Sequence, residues 1–442
     1  MRTINSFFKV FESRKIVALL LLGFASGLPL FLTSKTLQAW MTDAGVDLTS
    51  IGLFSLVGLP YSLKFIWSPL MDRFVPPFLG RRRGWLLITQ ILLVIAIAIM
   101  SVQKPKEALF FVAINALLIA FFSASQDIVG DAYRTDVLEK PEMGAGAAVF
   151  VLGYRIALLA TGALALILAD QMSWNLVYLC LAGLMSLCIV FTLFAPEPEE
   201  DNNAPQSLVD AVILPFKEFF ERSGITAGAL MLLFIVLYKL GDGLLGNMAT
   251  PFLLSPEMSF SKTDIGAIQG GMGLLATIVG TLVGGSIMSK IGINKSLWLF
   301  GGLQAISNLA YFVLAQLSQN YQLTELAQKY QFSEIPSYYQ VMVISINIEN
   351  FCGGLGTAAF VAFLMSLCNH KFSATQYALL SSLYAVSRDI LVAPAGKLAD
   401  TIGWSNFFLF SLIIAIPGLL LLPWFAPWKP QFVDIPRPGK DN

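Results

Sequence analysis

Asp127 and Asp131 stand one helical turn apart in Phe122-Ser-Ala-Ser-Gln-Asp-Ile-Val-Gly-Asp-Ala-Tyr-Arg134. Their carboxylates therefore share a face, and Arg134 follows three residues later on the same side. Ser123 and Gln126 join or border that face. The stretch closes an apolar run, Ala108 to Phe122, that makes up most of a membrane span. A carboxylate in hydrocarbon is costly, so it faces a bundle interior or a wet cavity and marks a functional position. Asp131 and Arg134, near the end of the run, suit an ion pair or a helix end. Asp127 lies deeper and suits reversible proton binding.

Other apolar runs carry the same kind of residue: Lys35, Lys64, Arg155, Lys239, Asp242, Glu349, Arg388 and Asp389. The cations suit an anionic solute. Asp242 and Glu349 join Asp127 as candidate proton carriers. Plainer roles exist for some. Lys35, towards the outer end of its run, can snorkel to an interface. Lys239 and Asp242, three apart, can pair on their own helix. Arg388 and Asp389 are adjacent, so an α-helix points them apart and each calls for its own partner. Ionisable groups in seven separate runs are better explained by one wet central cavity than by lipid-facing positions.

The elements that must position these groups follow from composition. Hydrophobic residues make up 56% and charged residues 13%, with mean hydropathy +0.72. A soluble domain is about a quarter charged, so the chain reads as an all-α integral membrane protein. A net charge of zero argues against a nucleic-acid partner. Cys180, Cys188, Cys352 and Cys368 all fall in or at the end of apolar spans, as small core residues. With His370 the only histidine, no metal or cofactor ligand set is expected.

About twelve spans are expected, near 15–40, 49–70, 84–103, 107–132, 143–169, 173–194, 224–247, 262–288, 295–317, 338–366, 373–398 and 405–426. Arg73, Arg81, Arg82 and Arg83 follow the second span, and Lys or Arg residues follow later even-numbered spans. The opposite connections 41–48 and 170–173 have none. The positive-inside rule then puts both termini in the cytoplasm. Residues 1–15 and 207–222 read as interfacial helices, the second within a Pro-bounded polar linker. Residues 318–337 read as a longer outer loop. The organisation expected is a six-helix bundle over 1–195, a linker over 196–223 and a second six-helix bundle over 224–442.

The two halves echo each other. Leu168-Ala-Asp170 followed by Trp174 recurs as Leu398-Ala-Asp400 followed by Trp404, and Thr49-Ser-Ile-Gly52 resembles Thr263-Asp-Ile-Gly266. Tyr154 and Tyr384 precede the two aspartates by equal distances. Gly23, Gly27 and Pro29 in the first span, and Gly241, Gly243 and Gly246 in the seventh, predict broken helices at matching positions, a pointer to a transport path. Close helix packing is the alternative for the glycines. Trp40, Tyr61, Trp67, Tyr154 and Tyr384 are candidates to stack on a sugar, although core packing or an interface belt is the commoner use of such rings.

Asp72-Arg73 with Gly80-Arg-Arg-Arg83 resembles the loop signature of the major facilitator superfamily, with Phe-Val-Pro-Pro-Phe-Leu inserted and Ser68 where glycine is usual. Leu22-Gly-Phe-Ala-Ser-Gly-Leu-Pro29, Lys64-Phe-Ile-Trp-Ser-Pro69, Pro76-Pro-Phe-Leu-Gly-Arg-Arg-Arg-Gly-Trp85, Ser123-Ala-Ser-Gln-Asp-Ile-Val129 and Val151-Leu-Gly-Tyr-Arg155 together resemble the AmpG family of bacterial muropeptide permeases. The match is dense over the first 200 residues and thins afterwards. The resemblance implies import of N-acetylglucosaminyl-anhydro-N-acetylmuramyl peptides with protons across the bacterial inner membrane, by a monomer and without a cofactor. Expected substrate contacts are Lys35, Gln38, Trp40, Tyr61, Lys64, Gln126, Tyr154, Arg155, Lys239, Tyr384 and Arg388. Asp127, Glu349 and Asp242 would couple protons, and Asp72, Arg73, Arg81, Asp131 and Arg134 would form a conformational gate. The competing cargo is acetyl-CoA or another organic anion. A polytopic transferase is disfavoured because His370 has no acid at a catalytic spacing.

Overall fold

The computed structural model describes residues 14–68, 71, 74–138, 143–197, 217–256, 258, 260–328, 338–368 and 373–428. Asp72, Arg73, His370, the expected interfacial helix before residue 14 and most of the linker lie outside them. The described residues are helical, and ten helices are long and apolar enough to cross a bilayer. Side chains such as Ile95, Phe110, Leu187, Leu282, Ile306 and Ile344 point outwards and exposed, as a lipid-facing belt requires. The expected loop at 318 is instead helix: the ninth span runs from Ile293 to Gln328. Its polar continuation past Leu317 keeps good helix formers (Gln, Leu, Glu, Ala), which hydropathy alone does not register.

Both expected breaks are present. The first span divides into Arg14–Leu32 and Lys35–Asp43. One turn after Pro29, the Thr33 hydroxyl donates to the Pro29 carbonyl at 3.1 Å and the Ser34 hydroxyl to the Leu30 carbonyl at 2.7 Å, so side chains compete with the helical ladder. The seventh span divides into Ile225–Leu237 and Leu240–Leu253. Gly23 and Gly27 serve packing instead. A Cβ on Gly23 would overlap the Phe150 carbonyl, so these glycines let the first span lie directly on the fifth.

The second and eleventh spans fall short of a continuous crossing helix. The second comprises Leu48–Leu53 and Leu59–Leu63, with 3₁₀ turns at Phe54–Gly58 and Lys64–Ile66. The eleventh comprises Ser373–Val386, a π segment at Ser387–Leu391 and Ala395–Ile402. The fifth and eighth spans carry π segments too, at Ala160–Leu164 and Gly266–Gly273. Spans two, five, eight and eleven also make most of the contact between the two halves of the chain, with spans one and seven adding a smaller share. Altered helical pitch at these positions re-aims side chains at the seam.

The sequence echoes find a physical role there. The Leu168-Ala-Asp170 element of span five packs on the Thr263-Asp-Ile-Gly266 element of span eight, and the Leu398-Ala-Asp400 helix packs on the helix of Thr49-Ser-Ile-Gly52. Each half thus supplies one member of each pair. Asp170 accepts the Thr263 backbone N–H at 2.9 Å across the seam. A Cβ on Gly396 would overlap the Leu48 carbonyl, and Gly270 meets Gly162 backbone to backbone. Asp43 fastens the same end, accepting from Trp174 Nε1 at 2.7 Å and pairing with Lys262 at 3.1 Å. Just before Leu48, the Asp47 carboxylate accepts the Ser50 N–H at 2.8 Å, and that bond holds Asp47 below the usual carboxylate range. This cap is present above the ordinary carboxylate pKa and is lost as pH falls through the lowered one.

Candidate functional site

The seal described above closes one end of a cavity of about 400 Å³ between the two halves. Eight of the residues expected to handle substrate or protons line it: Lys35, Gln38, Tyr61, Lys239, Asp242, Glu349, Tyr384 and Arg388. The breaks in spans one and seven place the first of these. Lys35 opens the second half of span one, and its ammonium donates to the Gly246 carbonyl across the cavity. Gln38, one turn on, donates to Asn247 Oδ1 at 2.7 Å. Asn247 in turn reaches the carbonyls of Gly52 and Val392, each at 3.4 Å, so a single amide ties spans one, two, seven and eleven together.

Lys239 is deeply enclosed, with 6% of its side chain exposed. It pairs with Asp242 at 3.3 Å, the intrahelical pair expected from their spacing, and donates also to Gln304 Oε1 at 3.0 Å and Thr357 Oγ1 at 3.2 Å. Glu349 accepts from Asn350 Nδ2 at 2.9 Å, and Asn350 is held by the Thr277 hydroxyl at 3.1 Å. Its nearest charges are Asp242, Lys35 and Lys239, so it stands between cations of both halves. Tyr384 meets Phe360 edge-on, with ring centroids 5.3 Å apart.

The expectation that Arg388 and Asp389 point apart is corrected. Arg388 Nε donates to Asp389 Oδ1 at 2.8 Å and Nη2 to Oδ2 at 3.1 Å. The π segment that contains both opens the helical turn and brings neighbouring side chains round to one another. Asp389 also accepts from the Ser62 hydroxyl at 2.9 Å and lies against Gly58, so it is lodged in span two of the other half. Arg388 keeps 42% of its side chain exposed to the cavity. Among the charged residues of the lining it alone is exposed.

The remaining expected residues lie elsewhere. Trp40 is core, 5% exposed, with Tyr178 at 4.8 Å and Trp174 stacked at 6.2 Å. Asp127, Gln126, Tyr154, Arg155 and Lys64 do not line the cavity. Asp131 joins Arg134 at 3.3 Å and Lys64 at 3.9 Å. Asp127 lies near the charges of Lys64 and Asp131 and near the Ser26 hydroxyl. Tyr61 connects the two regions: it lines the cavity while its phenol feels the charges of Asp127 and Arg388. Its hydroxyl is buried without a hydrogen-bond partner, as are the Ser123 hydroxyl and the Gln126 amide. Sequence reasoning placed Asp389 among the cavity charges without giving it a role, and missed Asn247, Gln304 and Asn350. The available signal was a polar side chain deep in an apolar run, the same signal used for the charges.

A family model described as the Major Facilitator Superfamily matches residues 19–327. A Rickettsia felis protein named as transporter AmpG 4 is 36% identical over 424 residues, 94% of this chain and 97% of that protein. The anhydromuropeptide permease of Escherichia coli strain K12 is 49% identical over 419 residues, 95% of this chain and 81% of that protein. The chain belongs to the AmpG family of the major facilitator superfamily. A POT family transporter solved with 5-aminolevulinic acid shares the fold at 16% identity, with TM-score 0.69, 94% of this chain and 96% of that one covered.

The Gly80-Arg-Arg-Arg83 end of the superfamily loop between spans two and three is anchored to the first residues of the linker in this AmpG-family chain. The backbone N–H groups of Arg82 and Arg83, at the start of the Arg81–Ser101 helix, both donate to the Glu197 carboxylate, at 2.9 and 3.0 Å. Gly80 has φ +78, and a Cβ there would collide with that carboxylate. Arg82 Nε donates to Asp136 at 2.7 Å, whereas Arg81 Nε is buried without a partner. A carboxylate on a helix N-terminus satisfies orphan donors and the helix dipole together. Glu197→Ala is expected to remove about 1 kcal/mol. Thermal melting in detergent checks this; an unchanged midpoint rules the anchor out.

Proposed function

We propose that this chain is a proton-coupled importer of anhydro-muropeptides, moving them from periplasm to cytoplasm across the bacterial inner membrane. The observation that carries the reading is 49% identity, over 95% of the chain, to a protein named as an anhydromuropeptide permease. The cavity supports it, because it joins charges of both signs to aromatic rings and small hydroxyls. In this reading residues 1–195 and 224–442 rock about the cavity, joined by the linker 196–223, with both termini cytoplasmic. The seal of spans two, five, eight and eleven then faces the periplasm.

Roles follow from position. Arg388 receives a substrate carboxylate, while Lys35 and Lys239 hold the cavity's shape against Gly246 and Gln304. Asp127, Glu349 and Asp242 are the proton carriers, with Asp127 reached through Tyr61. Each net positive charge carried inwards gains about 2.3 kcal/mol per 100 mV. A carrier of acetyl-CoA or a similar polyphosphate calls for several free cations in the cavity. Lys35 and Lys239 are already engaged by protein acceptors, which favours the muropeptide.

The test is uptake of labelled N-acetylglucosaminyl-anhydro-N-acetylmuramyl tripeptide into proteoliposomes under an imposed proton gradient. Accumulation that collapses with a protonophore is expected. Competition by acetyl-CoA but not by unlabelled muropeptide would overturn the reading.

A further inference from the structure

The two walls of the cavity differ in chemistry. The wall from spans one and two supplies the rings of Phe31, Phe54 and Tyr61, hydroxyls such as Ser34 and Ser55, and one ion, Lys35, whose ammonium is bound to the Gly246 carbonyl. The facing wall, from spans seven, ten and eleven, supplies five ions, Lys239, Asp242, Glu349, Arg388 and Asp389, with one ring, Tyr384, which is packed edge-on against Phe360. We propose that the substrate is held in one orientation, disaccharide on the wall of spans one and two, peptide on the wall of spans seven, ten and eleven. This rests on the muropeptide reading above.

The chemistry of the two parts fits the two walls. An uncharged disaccharide offers apolar ring faces and hydroxyls, which ask for aromatic surfaces and small hydrogen-bonding groups. A peptide offers carboxylates, and a carboxylate leaving water is best received by a guanidinium already fixed in place. Arg388 is fixed in that way. Asp389 takes Nε and Nη2, and the Ser62 hydroxyl and Gly58 backbone hold Asp389. That leaves the other amino group of Arg388 uncommitted on the exposed side. Asp389 is therefore a positioning residue for peptide recognition. Lys239 cannot substitute, because its ammonium already meets Asp242, Gln304 and Thr357.

The experiment compares two labelled probes in proteoliposomes: the anhydro-disaccharide with its lactyl carboxyl capped as the methylamide, so that it carries no charge, and the same disaccharide carrying the tripeptide. The readout is the ratio of their half-saturation concentrations. Arg388→Gln is expected to shift that ratio about ten- to a hundredfold against the peptide-bearing probe, the worth of a hydrogen bond to a charged group. Arg388→Lys, which keeps the charge, recovers part of it. Asp389→Asn shifts the ratio in the same direction by less. Tyr61→Leu raises both half-saturation values and holds the ratio within about twofold. If Arg388→Gln weakens both probes equally, or Tyr61→Leu moves the ratio as far as Arg388→Gln does, the orientation is wrong. If the wild-type protein takes up neither probe, the muropeptide reading has failed first, and the orientation falls with it.

Discussion

Gly396→Val is expected to abolish uptake while the protein still inserts, because it prevents spans two and eleven from closing. The backbone of Leu48 occupies the place where a Cβ on residue 396 would go, and a Cβ on Gly52 would in turn come within 2.7 Å of the Gly396 amide nitrogen. Neither obstacle is a flexible side-chain end, so the two helices must separate to admit a methyl group, let alone a branched one. Overpacking of this kind costs about 1–3 kcal/mol, and here it falls on the sealed state alone. The equilibrium then shifts about five- to a hundredfold or more towards the form open at that end. A cysteine placed at Ser34, which lines the cavity, reports it in a background cleared of the four native cysteines. It should be shielded from an impermeant maleimide added outside in the otherwise unchanged protein, and labelled in Gly396→Val. Gly396→Ala should fall between. Normal uptake by the valine variant would mean that these backbones do not meet in the working cycle.

Asp127→Asn is the second change with a large expected effect. The substitution keeps the size and hydrogen-bonding capacity of the side chain near Ser26 but removes its ability to exchange a proton. Gradient-driven accumulation should fall to the level of protein-free liposomes. Exchange of labelled for unlabelled muropeptide at equilibrium, which needs no net proton movement, should persist. Because Asp127 lies outside the cavity lining, the half-saturation concentration for exchange should move little. Retained accumulation would transfer the coupling role to Glu349 or Asp242, which do line the cavity.

Tyr61 is the one side chain among those discussed that lines the cavity and also lies near Asp127. The hydroxyls of Tyr61 and Ser123 and the amide of Gln126 are buried without hydrogen-bond partners. Groups of this kind are costly unless hydrated or engaged at some stage of a cycle. In the proposed reading the two duties are separate, solute recognition in the cavity and charge movement beside it.

The sequence alone determined the class of the protein, most of its spans, its two echoing halves, the breaks in spans one and seven, and the set of ionisable residues inside apolar runs. These are local properties: hydropathy, proline chemistry and the cost of a charge in hydrocarbon act residue by residue. Its motifs were also specific enough to point to the AmpG family. Which of the charges share a chamber was decided by the tertiary structure. Lys35, Lys239, Asp242, Glu349 and Arg388 converge, while Asp127, Lys64 and Arg155 stay apart and Trp40 turns into the core. Nothing local distinguishes Lys35 from Lys64, because the side of a helix that faces the seam depends on partners more than a hundred residues away in the chain. The Arg388–Asp389 pair shows the same limit at the shortest range. Regular helical spacing sets adjacent side chains apart, and the π segment that brings them together is held by packing against the other half.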